Sequence, residues 1–334
     1  MINVAVVGVN NIGKLHCRNY LRHPDAKLAA VCDLMAERAE QAGNEFGVPA
    51  YTDLGELLRL EQVDVVVVAT GGHDKGSHHF VPVMQSLEAG KAVLVEKPIS
   101  PDIDEARQMV AFARERGLQL GCNLNHRFAP AAYRAKELVA GGKLGEVLFI
   151  NMRLTIRNPA DDSEYLHMRA LHPHSIDVMR YYGGDIARVQ SFMTKAPGRQ
   201  SWSTVSVNMQ FKSGAVGHLT GSYDMSMRHP IEFCEVGGSD GRFVIDNVYE
   251  SMTYYPHHAD DLTVVRNPLF GGMQGFDDTF SHRINRFIEQ VKAGTLPEAM
   301  DASGADALAA QEVIEAAIRS HQRGGLPMEV EAFR

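Results

Sequence analysis

An apolar run, Ile2-Asn3-Val4-Ala5-Val6-Val7, leads directly into Gly8-Val9-Asn10-Asn11-Ile12-Gly13 and then into a segment with helical spacing. A strand that turns through glycine into a helix leaves the first helical N–H groups and the positive end of the helix dipole to hold an anion, which ties this end of the chain to a parallel α/β sheet. The motif reads G-x-N-x-x-G, so Asn10 either takes up an unusual φ or holds a bound pyrophosphate slightly farther away. Asp33 follows the second apolar run, 20 residues beyond Gly13, at the spacing of a carboxylate that binds ribose hydroxyls. Such a carboxylate repels a 2′-phosphate, and Asp33-Leu34-Met35 holds no arginine to reverse that preference. Gly8, Asn10, Asn11, Ile12, Gly13 and Asp33 therefore predict an NAD site, with NADP disfavoured.

Composition narrows the remaining classes. With 334 residues, the chain has length for about two domains, each with a core of its own. A formal net charge of -8, from 33 Lys plus Arg against 41 Asp plus Glu, opposes binding to a nucleic-acid backbone. The longest purely apolar strand-like run, Val65 to Ala69, is far short of the roughly 20 residues a membrane-spanning helix needs. The N-terminus carries no basic segment and no small-residue cleavage site, so a cytoplasmic location is expected. Cys17, Cys32, Cys122 and Cys234 show no C-x-x-C spacing, which points to reduced, partly buried side chains.

The first third alternates candidate strands (Ile2 to Val7, Leu28 to Cys32, Val63 to Ala69, Ala92 to Val95, Leu118 to Gly121) with helical segments, the order of a doubly wound parallel sheet. A helix is expected from Ser100-Pro101, as N-cap and first helical residue, to about Arg116, ended by Gly117. Beyond Asn123 the segments become strand-rich: Val147 to Ile156, Val189 to Thr194, Ser203 to Phe211, Ala215 to Tyr223 and Ile231 to Val236. Two helices, near Phe276 to Ala293 and Ala302 to Arg323, close the chain. The expected fold class is α/β: a Rossmann domain over residues 1–122, then an α+β domain over 123–334 on a mostly antiparallel open sheet.

Ligands of doubly wound sheets sit beyond the carboxyl ends of the strands. Thr70 ends the third candidate strand, and the loop Gly71 to His79 is placed to line the nicotinamide half of the cofactor. Glu96-Lys97-Pro98 ends the fourth. A lysine desolvated beside an oxidised nicotinamide has a depressed pKa and can hold a substrate hydroxyl or its developing alkoxide, although spacing alone equally allows a surface lysine.

Glu96-Lys97-Pro98, the variant glycine loop, Asp33, Ala89-Gly90-Lys91, Arg127-Phe128-Ala129-Pro130, Gly142-Lys143-Leu144-Gly145-Glu146 and His174-Ser175-Ile176-Asp177 together resemble the glucose-fructose oxidoreductase/inositol dehydrogenase/MocA (Gfo/Idh/MocA) family over essentially the whole chain. The resemblance implies an NAD(P)-dependent dehydrogenase of sugars, inositols and related polyols, assembled as a homodimer or homotetramer through its C-terminal sheet. It implies a substrate-binding and catalytic role for Lys97, often with a cis bond to Pro98, and a general-base role for His174 at a helix start. It also puts Thr70, His79, Glu96, Lys97 and Arg127 on the cofactor side. The family's acid four residues before the histidine is replaced here by Ala170, which leaves His172, Arg169 or His167 as possible substitutes in the proton relay.

Arg153, Arg157, Asn158 and Tyr165 lie on or after the second domain's first strand and join His172 and His174 as candidates for recognising hydroxyls or a carboxylate. Alternation puts Arg153 and Arg157 on one side, with Asn158 dependent on the loop. His167, His172 and His174 have no matching carboxylate cluster at helical spacing, so no metal site is expected. His257-His258-Ala259-Asp260-Asp261 reads as a hydrated loop between strands. The leading expectation is oxidation of a secondary alcohol with NAD. Two alternatives remain: a glycosidase-like enzyme that oxidises a sugar transiently, and a catalytically silent NAD-binding regulator.

Overall fold

The computed structural model describes residues 1–71, 78–226, 231–247, 250–267 and 275–331. Gly72 to Ser77 of the expected nicotinamide loop fall outside the described residues.

The chain divides into two compact units, Met1–Leu124 with Phe280–Leu308, and Asn125–Thr279 with Ala309–Arg334. The first holds a six-stranded parallel sheet in the order β3-β2-β1-β4-β5-β6. Its strands are β1 (Ile2–Val7), β2 (Ala26–Cys32), β3 (Ala50–Tyr51), β4 (Val65–Val68), β5 (Ala92–Val95) and β6 (Leu120–Cys122). Between them run α1 (Asn11–Arg22), α2 (Ala36–Phe46), α3 (Leu54–Leu60), α4 (Phe80–Glu88) and α5 (Ile103–Glu115). β4 and β5 are buried at every residue, as expected of strands covered on both faces.

The cap of α5 differs from expectation. Asp102, not Ser100, accepts from the N–H groups of Asp104 (2.8 Å) and Glu105 (3.2 Å), while the Ser100 hydroxyl donates to the Glu105 carboxylate at 2.7 Å. A charged acceptor holds the first free N–H groups more strongly than a hydroxyl, so the helix starts two residues later.

The first unit also differs from the expected 1–122. The helix α8 (Phe276–Lys292) returns to it, and Phe280, Ile284, Phe287 and Ile288 join one core with Val4, Val6, Val65, Val67, Ala92 and Leu94. These four residues repeat at the i, i+4, i+7, i+8 spacing of one helical face. Arg283, fully buried on the same helix, donates to the carbonyls of Cys122 (3.0 Å) and Ala302 (3.1 Å).

The second unit contains a nine-stranded sheet in the order β14-β13-β12-β11-β7-β10-β9-β8-β15, antiparallel except at β7–β10. The strands are β7 (Val147–Thr155), β8 (Ile186–Thr194), β9 (Thr204–Phe211), β10 (Val216–Ser222), β11 (Glu232–Gly238), β12 (Gly241–Asp246), β13 (Ser251–Pro256), β14 (Thr263–Arg266) and β15 (Met328–Glu329). His257 to Asp261 lies between β13 and β14, as expected. A 3-10 turn (Asn125–Phe128) precedes α6 (Pro130–Ala140), α7 (Leu166–Gly183) follows β7, and α9 (Gly304–Gln322) crosses the division between the units. Ile150 and Met152 of β7 share a core with Met168, Ile176, Val178 and Met179 of α7, so α7 covers that face of the sheet.

Candidate active site

In the first unit the strand order reverses between β1 and β4, and the residues that follow these strands sit side by side. Gly8 has φ +84°, and a Cβ there would stand 2.7 Å from the Thr70 backbone, so only glycine lets the two loops close on each other. At Gly13 a side chain would collide with the Gly8 carbonyl. Asn10 has φ -80° and caps α1 in an extended conformation, so the strain allowed for at this position falls on Gly8 instead. Asn10, Asn11 and Ile12 are exposed at the helix start. Asp33 is largely buried, and its two carboxylate oxygens accept the N–H groups of Val9 and Met35, both at 3.0 Å. A dinucleotide fits this arrangement: a close-approach loop, a helix start and a fixed acid.

Lys97 follows β5, is half-buried, and has a cis bond to Pro98. Burial pushes its pKa below the ordinary lysine value, against the opposing pull of the Glu96 charge. Glu96 faces inward: one oxygen meets His16 Nε2 at 2.8 Å and accepts from Asn123 at 2.6 Å. Burial raises its pKa, but the His16 hydrogen bond and the other partners outweigh that and leave it below the usual carboxylate value. His79 is buried with Nδ1 2.9 Å from the Pro98 carbonyl and Nε2 3.0 Å from the Thr70 carbonyl, and burial lowers its pKa. Glu96 and His79 are thus engaged inside the protein and brace the Lys97 turn.

In the second unit His174 lies in the middle of α7, not at a helix start, with Pro173 inside the helix. The His174 ring lies flat on that of His126, centroids 4.1 Å apart and planes 7° from parallel. His126 Nδ1 meets Glu232 Oε2 at 2.6 Å. One residue on, Arg127 grips Asp177 with two donors, Nε at 2.7 Å and Nη2, and lies over the Tyr181 ring. This ion pair fixes the turn to α7.

The other expected substrate residues do not gather around His174. His172 is fully buried, with Nδ1 3.0 Å from the Ser175 hydroxyl and Nε2 3.1 Å from His167 Nε2. Burial pushes the His172 pKa well below the usual imidazole value and that of His167 down to about 3. Tyr165 is in the core, and its hydroxyl accepts from Gln322 at 3.2 Å. Arg153 points away from α7, its guanidinium 5.7 Å from the Phe233 ring centre, because its neighbours Met152 and Leu154 take the buried face. Arg157 lies beyond the last residue of β7, where alternation no longer governs it, and borders an open cavity of about 830 Å³. The Asn158 side chain closes its own loop on the Ala160 N–H. Arg169 pairs with Glu315. Among the described residues no group of three or more His, Cys, Asp or Glu side chains is placed to hold a metal ion.

Sequence reasoning missed His126 and Glu232. Glu232 had a readable signal: it shares a strand face with Cys234 and Val236, both buried, so its carboxylate points into the core. His126 had none beyond its place beside Arg127.

Residues 2–124 match the family model described as an oxidoreductase family with an NAD-binding Rossmann fold, and residues 133–244 match the Gfo/Idh/MocA C-terminal domain. The chain belongs to the Gfo/Idh/MocA family. It is an oxidoreductase with an NAD-binding N-terminal domain. Its relatives in this family include myo-inositol 2-dehydrogenase of Thermotoga maritima, 27% identical and covering 92% of this chain and 93% of that one. The scyllo-inositol 2-dehydrogenase (NAD(+)) of Bacillus subtilis is 26% identical over 100% of this chain and 97% of its own. Among solved structures, an NAD binding oxidoreductase from Klebsiella pneumoniae has the same fold, with a TM-score of 0.89, 22% identity and 99% of each chain covered. Among the described residues no helix is long and apolar enough to cross a membrane.

Proposed function

We propose that the protein oxidises a secondary alcohol of a sugar, inositol or related polyol, with Lys97 positioning the hydroxyl and His174 taking its proton. The observation that carries this reading is the position of Lys97 directly after β5, beside the β1–β4 reversal where doubly wound sheets present their ligands. The similarity to inositol dehydrogenases supports the polyol class. Bound NAD supplies the hydride acceptor. The chain's part is to orient the carbinol and remove the O–H proton as the carbonyl forms. A lysine with a lowered pKa shares a proton with the substrate oxygen more readily than an ordinary one, and an imidazole on a rigid helix is a suitable general base.

The test is NADH absorbance with NAD and a panel of polyols. Lys97→Met and His174→Asn are each expected to lower kcat at least a hundredfold while NAD affinity, read by fluorescence quenching, stays within a few-fold. Parental kcat in both variants overturns the residue roles. Self-association as a dimer or tetramer, which the family resemblance implies, is to be read from the solution mass by light scattering.

A further inference from the structure

We propose that Glu232, acting through His126, offsets the positive charge that His174 acquires on taking a proton. The inference rests on the base role given to His174 above. Its ground is the construction of the 3-10 turn, whose consecutive residues His126 and Arg127 reach two positions one turn apart on α7, His174 and Asp177. Arg127 and Asp177 match each other's charge. His126 is fixed edge-on by Glu232 and face-on by His174, and it is 5% exposed against 2% for Glu232. A carboxylate withdrawn from water to this degree is tolerated only with a partner, and here the partner is a ring stacked on the candidate base.

Two imidazolium rings stacked at 4.1 Å repel, so the single charge of Glu232 supports one proton on the stacked pair beyond the one each neutral ring already carries. When His174 takes the substrate proton, His126 donates its Nδ1–H to Glu232. No atom is transferred between the rings; the carboxylate acts by its field and by fixing the His126 tautomer.

The other charged groups around α7 are matched or silent. Arg169 pairs with Glu315 of α9 and Arg180 with Asp185, while Lys136 of α6 donates to the Tyr181 carbonyl and lies over the Tyr181 ring. His167, near the Arg199 charge, and His172 are held neutral by burial. β7, β9 and β10 turn Ile150, Met152, Val207, Met209 and Leu219 toward the shared core.

The test is the NMR titration of the imidazole C–H signals in the full chain, with the His174 signal identified by its loss in His174→Asn, alongside the pH profile of kcat/KM with NAD and a polyol that the enzyme oxidises. Glu232→Gln keeps the acceptor for His126 and removes the charge. It is expected to lower the His174 midpoint by about one pH unit, to move the acid limb of the rate profile with it, and to lower the rate above that limb about threefold, as a correspondingly weaker base would. Should that variant fail to fold, Glu232→Met, an apolar side chain of similar length, must give the same shift. An unmoved midpoint in a folded variant overturns the proposal. The base assignment fails separately, if His174→Asn keeps both parental rate and acid limb.

Discussion

Asp33 is held before any ligand arrives, because the N–H groups of Val9 and Met35 fix its two oxygens and leave each with capacity for a further donor. A fixed carboxylate at a ribose selects by repulsion as well as attraction, since a 2′-phosphate would meet it at close range. Asp33→Ser should therefore lower the ratio of kcat/KM with NAD to that with NADP at least tenfold, about 1.4 kcal/mol of discrimination. A ratio unchanged from the parent would remove Asp33 from the ribose site. This residue was legible in the sequence because its relation to Gly13 is local, set by one strand, one loop and one helix. His172 and Tyr165 were not, because the partners that engage them, His167 Nε2 and Gln322, are chosen by packing and leave no mark in spacing.

At the scale of elements, α7 meets β10 without a gap. A side chain added at Gly221 would collide with the His172 ring and come within 3.1 Å of that of His167. Gly221→Ala is expected to destabilise the protein by about 1–3 kcal/mol through overpacking, read by urea unfolding, and an unchanged midpoint would mean the imidazoles move aside freely. The same layer predicts acid sensitivity. Both imidazoles have folded pKa values below the unfolded value of about 6.5, so the folded state binds fewer protons, and stability is complete above that value and lost as pH falls below it, for His167 down to about 3. At pH 5 His167 accounts for about 2 kcal/mol of the loss. Unfolding at pH 7 and pH 5 should show a smaller drop in the double variant His167→Gln/His172→Gln than in the parent; equal drops would show that neither ring is held neutral. The strands of this unit were read from alternation as far as Val236. β12, β13 and β14 extend the sheet beyond it, each held by its neighbour's edge, and two-residue β15 exists only as a partner of β8. Pairing of this kind is a property of the sheet and is weakly written in any one segment.

At the scale of the molecule, the division of the chain does not follow its order. A parallel sheet needs both faces covered, and one face here is covered by α1 together with α8, which begins 154 residues after β6 ends (276 minus 122). Sequence periodicity found α8 as a helix and could not say which core it joins, because an apolar stripe records that a face is buried and not against what. Burial of Phe280, Ile284, Phe287 and Ile288 at about 1.5–3 kcal/mol each amounts to an upper estimate on the order of 6–12 kcal/mol, comparable with the whole stability of an ordinary domain. Residues 1–124 expressed alone should therefore lack a cooperative thermal transition and bind a hydrophobic dye, even though every expected nucleotide-binding residue from Gly8 to Lys97 is present. Adding residues 280–308 through a flexible linker should restore both the transition and NAD binding. A fragment 1–124 that unfolds cooperatively and binds NAD as tightly as the full chain would show that α8 shields the sheet without being needed to form it.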